Sequence, residues 1–421
     1  MKGTAVVLLA LWNLACSRAE RPAPVLDPVP VSTSPESSIF PLNGGHYPQF
    51  VVGQDGGISV DLRDGRVLWF FGDTALGYSP DKKDIIRFQE EDPDHQAGRT
   101  NTAAILRIPE HGKPFALEYY APTKGLKSGE PMAGQAFPYA AGESFDAGDR
   151  VWPGGGVRVG DYVYVFMGVI GRDKSPRFSL CRSHISAPLK FERLMKAPNG
   201  NPLVLPFGRG ADGAISEGPA EFACSPWVEG SYLYCFATYH VTRKQWQGLR
   251  QEKKIDFPMG ACLLRVPVGR IDEPGAWTLC YGKGRWGRRR GEALPFFAFE
   301  GHSVSVHRNP YLKKWVAAYG PVAIGSFNDS LEVVASVADA PWGPWSNAVT
   351  LFRAPNAPKP AHEPAYPHAT SNLYIAQLHP WSSPDGGRTM LLTFNDSARG
   401  GVCCAWVDLG GLHVRGSGGV R

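Results

Sequence analysis

Two aspartates stand where a carboxylate has chemical use: Asp55 in GQDGG, and Asp73 in RVLWFFGDTALG at the tip of a continuous apolar run. Between them lies Asp64-Gly65, a dipeptide that favours a two-residue hairpin turn. A turn centred there sets Asp55 opposite Thr74 and Gly56 opposite Asp73, so the two acids become diagonal neighbours at the open end of one hairpin. Residues so placed approach to roughly 5 to 8 Å. Carboxyl groups about 5 to 5.5 Å apart suit double displacement at an acetal carbon, and about 6.5 to 9.5 Å leaves room for an attacking water. An acid at a strand tip also has a plainer use, capping the backbone of a turn, and Gly77 lies close by. Asp55 weighs against the plainer use, because it stands at the matching end of the partner strand.

Further groups recur at equivalent places along the chain. Thr74 follows Asp73, and GRTNTA supplies Arg99 and Asn101. Trp152 in VWPGGG offers a flat ring for a sugar face. SEGPAEF holds Glu217 and Glu221, with Tyr239 and His240 at the end of the next strand; FEGHSV holds Glu300 and His302; His368, Asn372, Asn395 and Asp396 come later. Acids, amides and imidazoles converging from several strand ends would line one polar site, with Asp55, Asp73 and Glu217 as its catalytic candidates and Thr74, Arg99, Asn101, Trp152, Tyr239, His240, Glu300, His302, His368 and Asn372 as contacts to substrate. The acids and histidines form no compact ligand motif, so neither a metal nor a cofactor is expected.

What must position these groups is a repeat. An alternating strand runs into a Gly or Asp turn, an aromatic-rich strand follows, and another β-rich pair comes after a variable loop. Five copies begin at GGISVDLRDGRVLWFFGDT, GGGVRVGDYVYVFMGVI, AEFACSPWVEGSYLYCFATYH, HSVSVHRNPYLKKWVAAYG and LYIAQLHPWSSPDGGRTMLLTFND. Each reads as a four-stranded meander. The expected fold is therefore all-β, a five-bladed β-propeller of four-stranded antiparallel blades spanning residues 46–410. A two-sheet sandwich would also use short strands, but it does not predict the same hairpin at regular spacing. In a propeller the first strand of each blade lines a central channel, which puts the candidate residues around one mouth.

Composition agrees with a turn-rich β protein: 49 Gly and 37 Pro in 421 residues. The net charge of +5 arises from 44 Lys and Arg against 39 Asp and Glu without a long block of one sign, so no nucleic-acid partner is expected. GRWGRRRG, 284–291, is the one basic run and reads as a solvated loop. The N-terminus MKGTAVVLLALWNLACSRAE has the pattern of a secretory signal over 1–19, with cleavage and lipidation at Cys16 as one route and cleavage after Ala19 as the other. Residues 20–45 are Pro- and Ser-rich and read as an extended tether, and 411–421 as a short tail. An exported protein follows, secreted or held at the cell surface or outer membrane by an N-terminal lipid. The remaining cysteines sit mostly in apolar strands, where buried thiols are expected, although export permits a disulfide or two.

The runs GQDGGISVDLRDGRVLWFFGDT, RTNTAAI, WPGGGVRVGDYVYVF, FEGHSVSVHRNPYLKKWVAAYG and DAPWGPWS resemble family 4185 of domains of unknown function, over most of the chain. The resemblance implies a five-bladed propeller akin to bacterial endo-D-arabinanases, with Asp55 and Asp73 as the catalytic pair and an envelope polysaccharide as substrate. SEGPAEF is more loosely similar to glycoside hydrolase family 43, where a Glu-Gly-Pro motif carries the general acid, here Glu217. That family also uses an Asp on the second blade, and this chain has Trp152-Pro153-Gly154 at the matching place. A glycoside hydrolase is thus the expected activity. A non-catalytic carbohydrate-binding propeller is the alternative, and a metal-dependent lactonase or phosphoesterase propeller a third.

Overall fold

The computed structural model describes residues 25–26, 32–33, 40–41, 50–78, 86–87, 98–108, 115–124, 131–140, 143–144, 148–170, 176–194, 219–240, 259–288, 292–293, 295–299, 303–321, 331–355, 373–396, 401–412 and 414–415. Their strands form five antiparallel blades around a channel. The inner and second strands are Val51–Asp61 and Arg66–Tyr78 in blade 1, Arg150–Val159 and Tyr162–Ile170 in blade 2, and Pro219–Glu229 and Tyr232–His240 in blade 3. Blade 4 has Val304–Asn309 and Lys314–Tyr319, and blade 5 has Leu373–His379 and Thr389–Asp396. Each inner strand touches those of its two neighbouring blades, so the ring is closed.

The expected five-bladed propeller is therefore what forms, and its cores explain the composition of the strands. Five apolar clusters fill the five spaces between adjacent blades. A second strand is buried on both faces, which is why Val67 to Phe71 is an unbroken apolar run with every residue fully buried. Val67, Trp69 and Phe71 face blade 5, while Leu68 and Phe70 face blade 2. Burying such side chains stabilises by about 1.5 to 3 kcal/mol each. Each face is as apolar as the other, so the strand has no solvated side.

The last blade is completed from the other end of the chain. Phe40–Pro41 pairs antiparallel with Cys403–Cys404 as its fourth strand. Ser32–Thr33 pairs in parallel with Phe352–Arg353 on the edge of blade 4, and Val25–Leu26 pairs with Val414–Arg415. Parts of the Pro- and Ser-rich segment 20–45 thus run as sheet edges. The cysteines at 181, 224, 235, 262, 280, 403 and 404 are all buried, and burial pushes the Cys181 and Cys224 thiols up to about 12.

Candidate functional site

The hairpin of blade 1 differs in register from the two-residue turn expected at Asp64-Gly65. Asp61 pairs with Val67, and the Leu62 amide donates to the Arg66 carbonyl at 3.0 Å, leaving a three-residue loop of Arg63, Asp64 and Gly65. Arg63 and Gly65 have φ of 57° and 84°, and the Asp64 carboxylate is held by the Arg66 guanidinium at 2.6 Å. The longer loop moves the pairs beside it by one position, and irregularities further along move some by two. Gln54, not Asp55, then lies opposite Thr74, and Gly56 lies opposite Phe71.

Between those two pairs Asp55 faces Gly72 and Asp73 together, a β-bulge on the second strand. A bulge re-aims side chains that strict alternation would send to opposite faces, and here it brings both acids to one place. Gly56 carries φ of 96° at the turn of the bulge, a conformation that L side chains rarely adopt. Gly72 is required for a different reason: a Cβ added there would lie 2.2 Å from Asp55 Oδ1 and 3.6 Å from Trp152 Cδ1. The Asp55 carboxylate therefore packs directly over the Gly72 backbone, beside the edge of the indole.

That same edge reaches the second acid. Trp152 Nε1 donates to Asp73 Oδ1 at 2.8 Å. The expectation of a stacking platform gives way to an edge-on hydrogen bond, which leaves the indole as the carboxylate's support. Asp73 reaches solvent, yet protein atoms crowd its carboxyl. That desolvation raises its pKa above the ordinary carboxylate value, against the opposing pull of the Trp152 hydrogen bond and the Arg150 charge.

Arg150 and Tyr139 were not anticipated. Arg150 lies two residues before Trp152 on the same strand, so β alternation places it on the same face. That spacing was the available signal. The Tyr139 hydroxyl pairs with Thr100 Oγ1 at 3.0 Å, and its pKa is raised first by desolvation and also by the charges of Asp149 and Asp73.

Two expected contacts to substrate, Asn101 and Thr74, and the neighbouring Asn395 are bonded into the frame. Asn101 is completely buried: its Nδ2 donates to the Val151 carbonyl at 2.9 Å, and its Oδ1 accepts from the amides of Ala136 and Phe137 at 3.1 and 2.8 Å. It ties blade 1 to the strand that carries Trp152. Thr74 is buried as well, donating to the Gly72 carbonyl at 3.0 Å and meeting Thr102 Oγ1 at the same distance. Asn395 donates from Nδ2 to the Gly56 carbonyl at 3.3 Å, which pins the bulge from blade 5. Arg99 is half-buried, and its backbone pairs with Thr74; desolvation lowers its pKa.

Glu217, Glu300, His302, His368, Asn372 and Cys16 lie outside the described residues. The backbone of Tyr239 pairs with Pro219, two positions after Glu217, and that of His240 with Met259. The start of blade 3's inner strand therefore meets the end of its partner, as the sequence suggested.

The channel's other mouth is a distinct place. A cavity of about 420 Å3 is lined by the C-terminal halves of all five inner strands, on the hairpin side and away from Asp55 and Asp73. Its wall includes His379, whose Nδ1 meets Ser59 Oγ at 2.6 Å and whose Nε2 meets Thr393 Oγ1 at 2.8 Å. Burial lowers the His379 pKa to about 3 and that of neighbouring His307 to about 4, so both rings are neutral near pH 7. Among the described residues, no group of three or more His, Cys, Asp and Glu side chains is placed to hold a metal ion.

Comparison with solved structures finds the same architecture. A protein of Bacteroides ovatus ATCC 8483, described as a hydrolase candidate, superposes with a TM-score of 0.54 at 14% identity, covering 86% of this chain and 87% of that one. A GH43 enzyme from Xanthomonas citri gives 0.45 at 12% identity, covering 91% and 90%. A family 117 glycoside hydrolase from the marine bacterium Zobellia galactanivorans gives 0.43 at 12% identity, covering 92% and 90%. No protein-family profile matches the chain, and no curated protein matches it either.

Proposed function

We propose that this protein is a glycoside hydrolase acting on a polysaccharide, with Asp73 as proton donor and Asp55 as the group that attacks the anomeric carbon. The observation that carries this reading is the bulge that sets Asp55 against Gly72 and Asp73, with the Asp73 carboxylate held by the Trp152 indole. Two carboxylates need unlike environments to play unlike roles. Asp73 has the environment of the acid, since crowding favours its protonated form. Asp55 lies over a glycine backbone that leaves it room and fixes its place.

In the reaction, Asp73 gives its proton to the departing glycosidic oxygen as Asp55 bonds to the sugar carbon; water then releases the sugar, and Asp73 takes the proton back. Trp152 holds Asp73 at one oxygen and leaves the other for the substrate. Arg150 supplies positive charge that moderates the proton's affinity. The substrate class implied by the sequence resemblance is an arabinan-like furanose polymer of a cell envelope. Export and an N-terminal lipid at Cys16 would place the enzyme beside such a polymer.

The test is product release from a panel of envelope and plant polysaccharides by the wild type, Asp55→Asn, Asp73→Asn and Glu217→Gln. Release that survives both Asp substitutions would overturn the assignment. Unchanged polysaccharide affinity with no turnover in the wild type would make the protein a binding propeller instead.

A further inference from the structure

We propose that Asn101 and Thr74 are positioning residues for the proton donor: together they clamp the Trp152 indole and the Asp73 carboxylate against each other across the boundary between blades 1 and 2. This role rests on Asp73 being that donor. Thr74, Thr100, Asn101 and Thr102 are all buried, close to the unbroken apolar run of the second strand. Burying polar side chains is unfavourable unless each finds hydrogen-bond partners, so packing alone would be better served by apolar residues.

Their bonds run to the two backbones that carry the donor and its support. Blade 2's inner strand, Arg150–Val159, has a strand neighbour on one side only, so no ladder ties it to blade 1. Asn101 supplies a tie: its Nδ2 donates to the Val151 carbonyl at 2.9 Å, one residue before Trp152. Asn101 is itself fixed, because its Oδ1 accepts from the amides of Ala136 and Phe137. On the other side, Thr74 Oγ1 donates to the Gly72 carbonyl at 3.0 Å, a bracket that closes over Asp73 within the bulge. With the Thr74 hydrogen so used, Thr102 donates to Thr74 Oγ1 at 3.0 Å from the start of the third strand, Thr102–Arg107. Asn101 and Thr102 are neighbours in the chain, so the two arms of the clamp share one short segment.

The clamp has a chemical consequence through the bond it holds. Trp152 Nε1 reaches Asp73 Oδ1 at 2.8 Å, and that bond favours the charged carboxylate, opposing the crowding that favours the protonated form. Hydrogen bonds weaken steeply with distance and misalignment, so slack in either backbone tips the balance toward protonation. Among the described residues, the other titratable or charged groups about Asp73 are Asp55 across the bulge, Arg150 on blade 2's inner strand, Tyr139, and Arg99, whose backbone pairs with Thr74. Asn101 and Thr74 carry no charge, so replacing them leaves this set of charges unaltered.

The test reads the Trp152 indole N–H by NMR in the full chain carrying isotope-labelled tryptophan, the signal being assigned by its loss in Trp152→Phe. In the wild type it should titrate with a midpoint above 3.8, the ordinary carboxylate value, and Asp73→Asn should remove the titration. Asp55→Asn identifies any step that belongs to the second acid. Asn101→Ala and Thr74→Val should each shift the indole proton toward the position of an unbonded one and raise the midpoint by about half a pH unit or more, about threefold in proton affinity. Asn101→Ala leaves backbone groups unpaired and is the less stable of the two; Thr74→Val preserves shape and remains if the other fails to fold. Thr74→Ser retains the hydroxyl and should keep the wild-type midpoint. On a responsive polysaccharide the alkaline limb of kcat/KM should follow the same shifts, and adding Asn101→Ala to Trp152→Phe should move it no further. An unmoved midpoint in either variant once folded, or a Thr74→Ser midpoint displaced as far as that of Thr74→Val, would overturn the clamp. Shifted midpoints in a protein that turns over no polysaccharide would uphold the clamp and overturn the hydrolase assignment instead.

Discussion

The two mouths of one channel are built from the same five strands and hold opposite chemistry. At one, a bulge in blade 1's second strand sets Asp55 against Gly72 and Asp73, and the Trp152 indole holds the Asp73 carboxylate. At the other, the strand's regular end gives way to a hairpin loop, and arginines outnumber the single acid. Inner strands that all run in one direction sort their residues by position: early residues reach one mouth and late residues the other. A propeller therefore separates a carboxylate site from a cationic one without a second domain. In blade 1 the acid mouth depends on a bulge, whereas toward the cationic mouth the same two strands pair regularly from Ile58 to Asp61.

The comparison breaks most sharply at the acids. Asp73→Asn should lower kcat/KM on the responsive polysaccharide by about 10² to 10⁴-fold, the span of general acid–base catalysis, and Asp55→Asn, which removes the attacking group, by at least as much. Asp73→Asn should also melt higher than the wild type near pH 7. Because folding raises the Asp73 pKa, the native state binds more protons than the unfolded one above the ordinary carboxylate value of 3.8, and stability falls as pH rises through that window. An amide removes this cost, so differential scanning calorimetry should register loss of activity with gain of stability.

Gly72→Ala tests the backbone that seats Asp55. The added Cβ displaces the carboxylate, and a misplacement of about 1 Å is expected to cost about 10²-fold in rate. An alanine variant with wild-type kcat/KM would show that the position of Asp55 does not matter to turnover. Trp152→Phe is expected to be milder. It removes a hydrogen bond that lowers the Asp73 pKa, so the alkaline limb of the kcat/KM profile should move to higher pH. A fixed limb would separate Trp152 from the proton donor.

The smallest effect belongs to the far mouth. His307 has an ordinary pKa of 6.5 that burial lowers to about 4, so the unfolded chain binds more protons between those values. Stability is full above about pH 6.5 and declines as pH falls toward 4. Thermal melts of His307→Asn across that range should lose stability less steeply than the wild type, while activity at neutral pH stays unchanged.

Much of this was legible in the sequence, and the rest was hidden for identifiable reasons. The five recurring hairpins and the apolar run ending in Asp73 follow from period and burial, which residue types report directly. The pairing of Asp55 with Asp73 was anticipated through a register that does not form. A three-residue loop shifts the ladder by one, and the bulge at Gly72 and Asp73 restores the meeting of the acids. Bulges have no compositional signature beyond their glycines, and Gly56 and Gly72 look alike in sequence although one answers to φ and the other to a neighbour's carboxylate. Asn101 reads as a ligand contact because exposed amides often are, and only the fold shows its three bonds to backbone. The support of Asp73 by Trp152 links two blades, and local sequence carries no sign of it.

The pairing of Phe40–Pro41 with Cys403–Cys404 has a consequence for biogenesis. A segment that leaves the ribosome before the first blade completes the last one, so the ring cannot close until nearly all of the chain is available. Contacts so distant in sequence slow folding, because loop closure must precede their reward. Until that moment blade 5 presents an open strand edge, the kind of surface on which other chains pair. The early segment acts as an internal latch that ends this exposure once synthesis has delivered its partner.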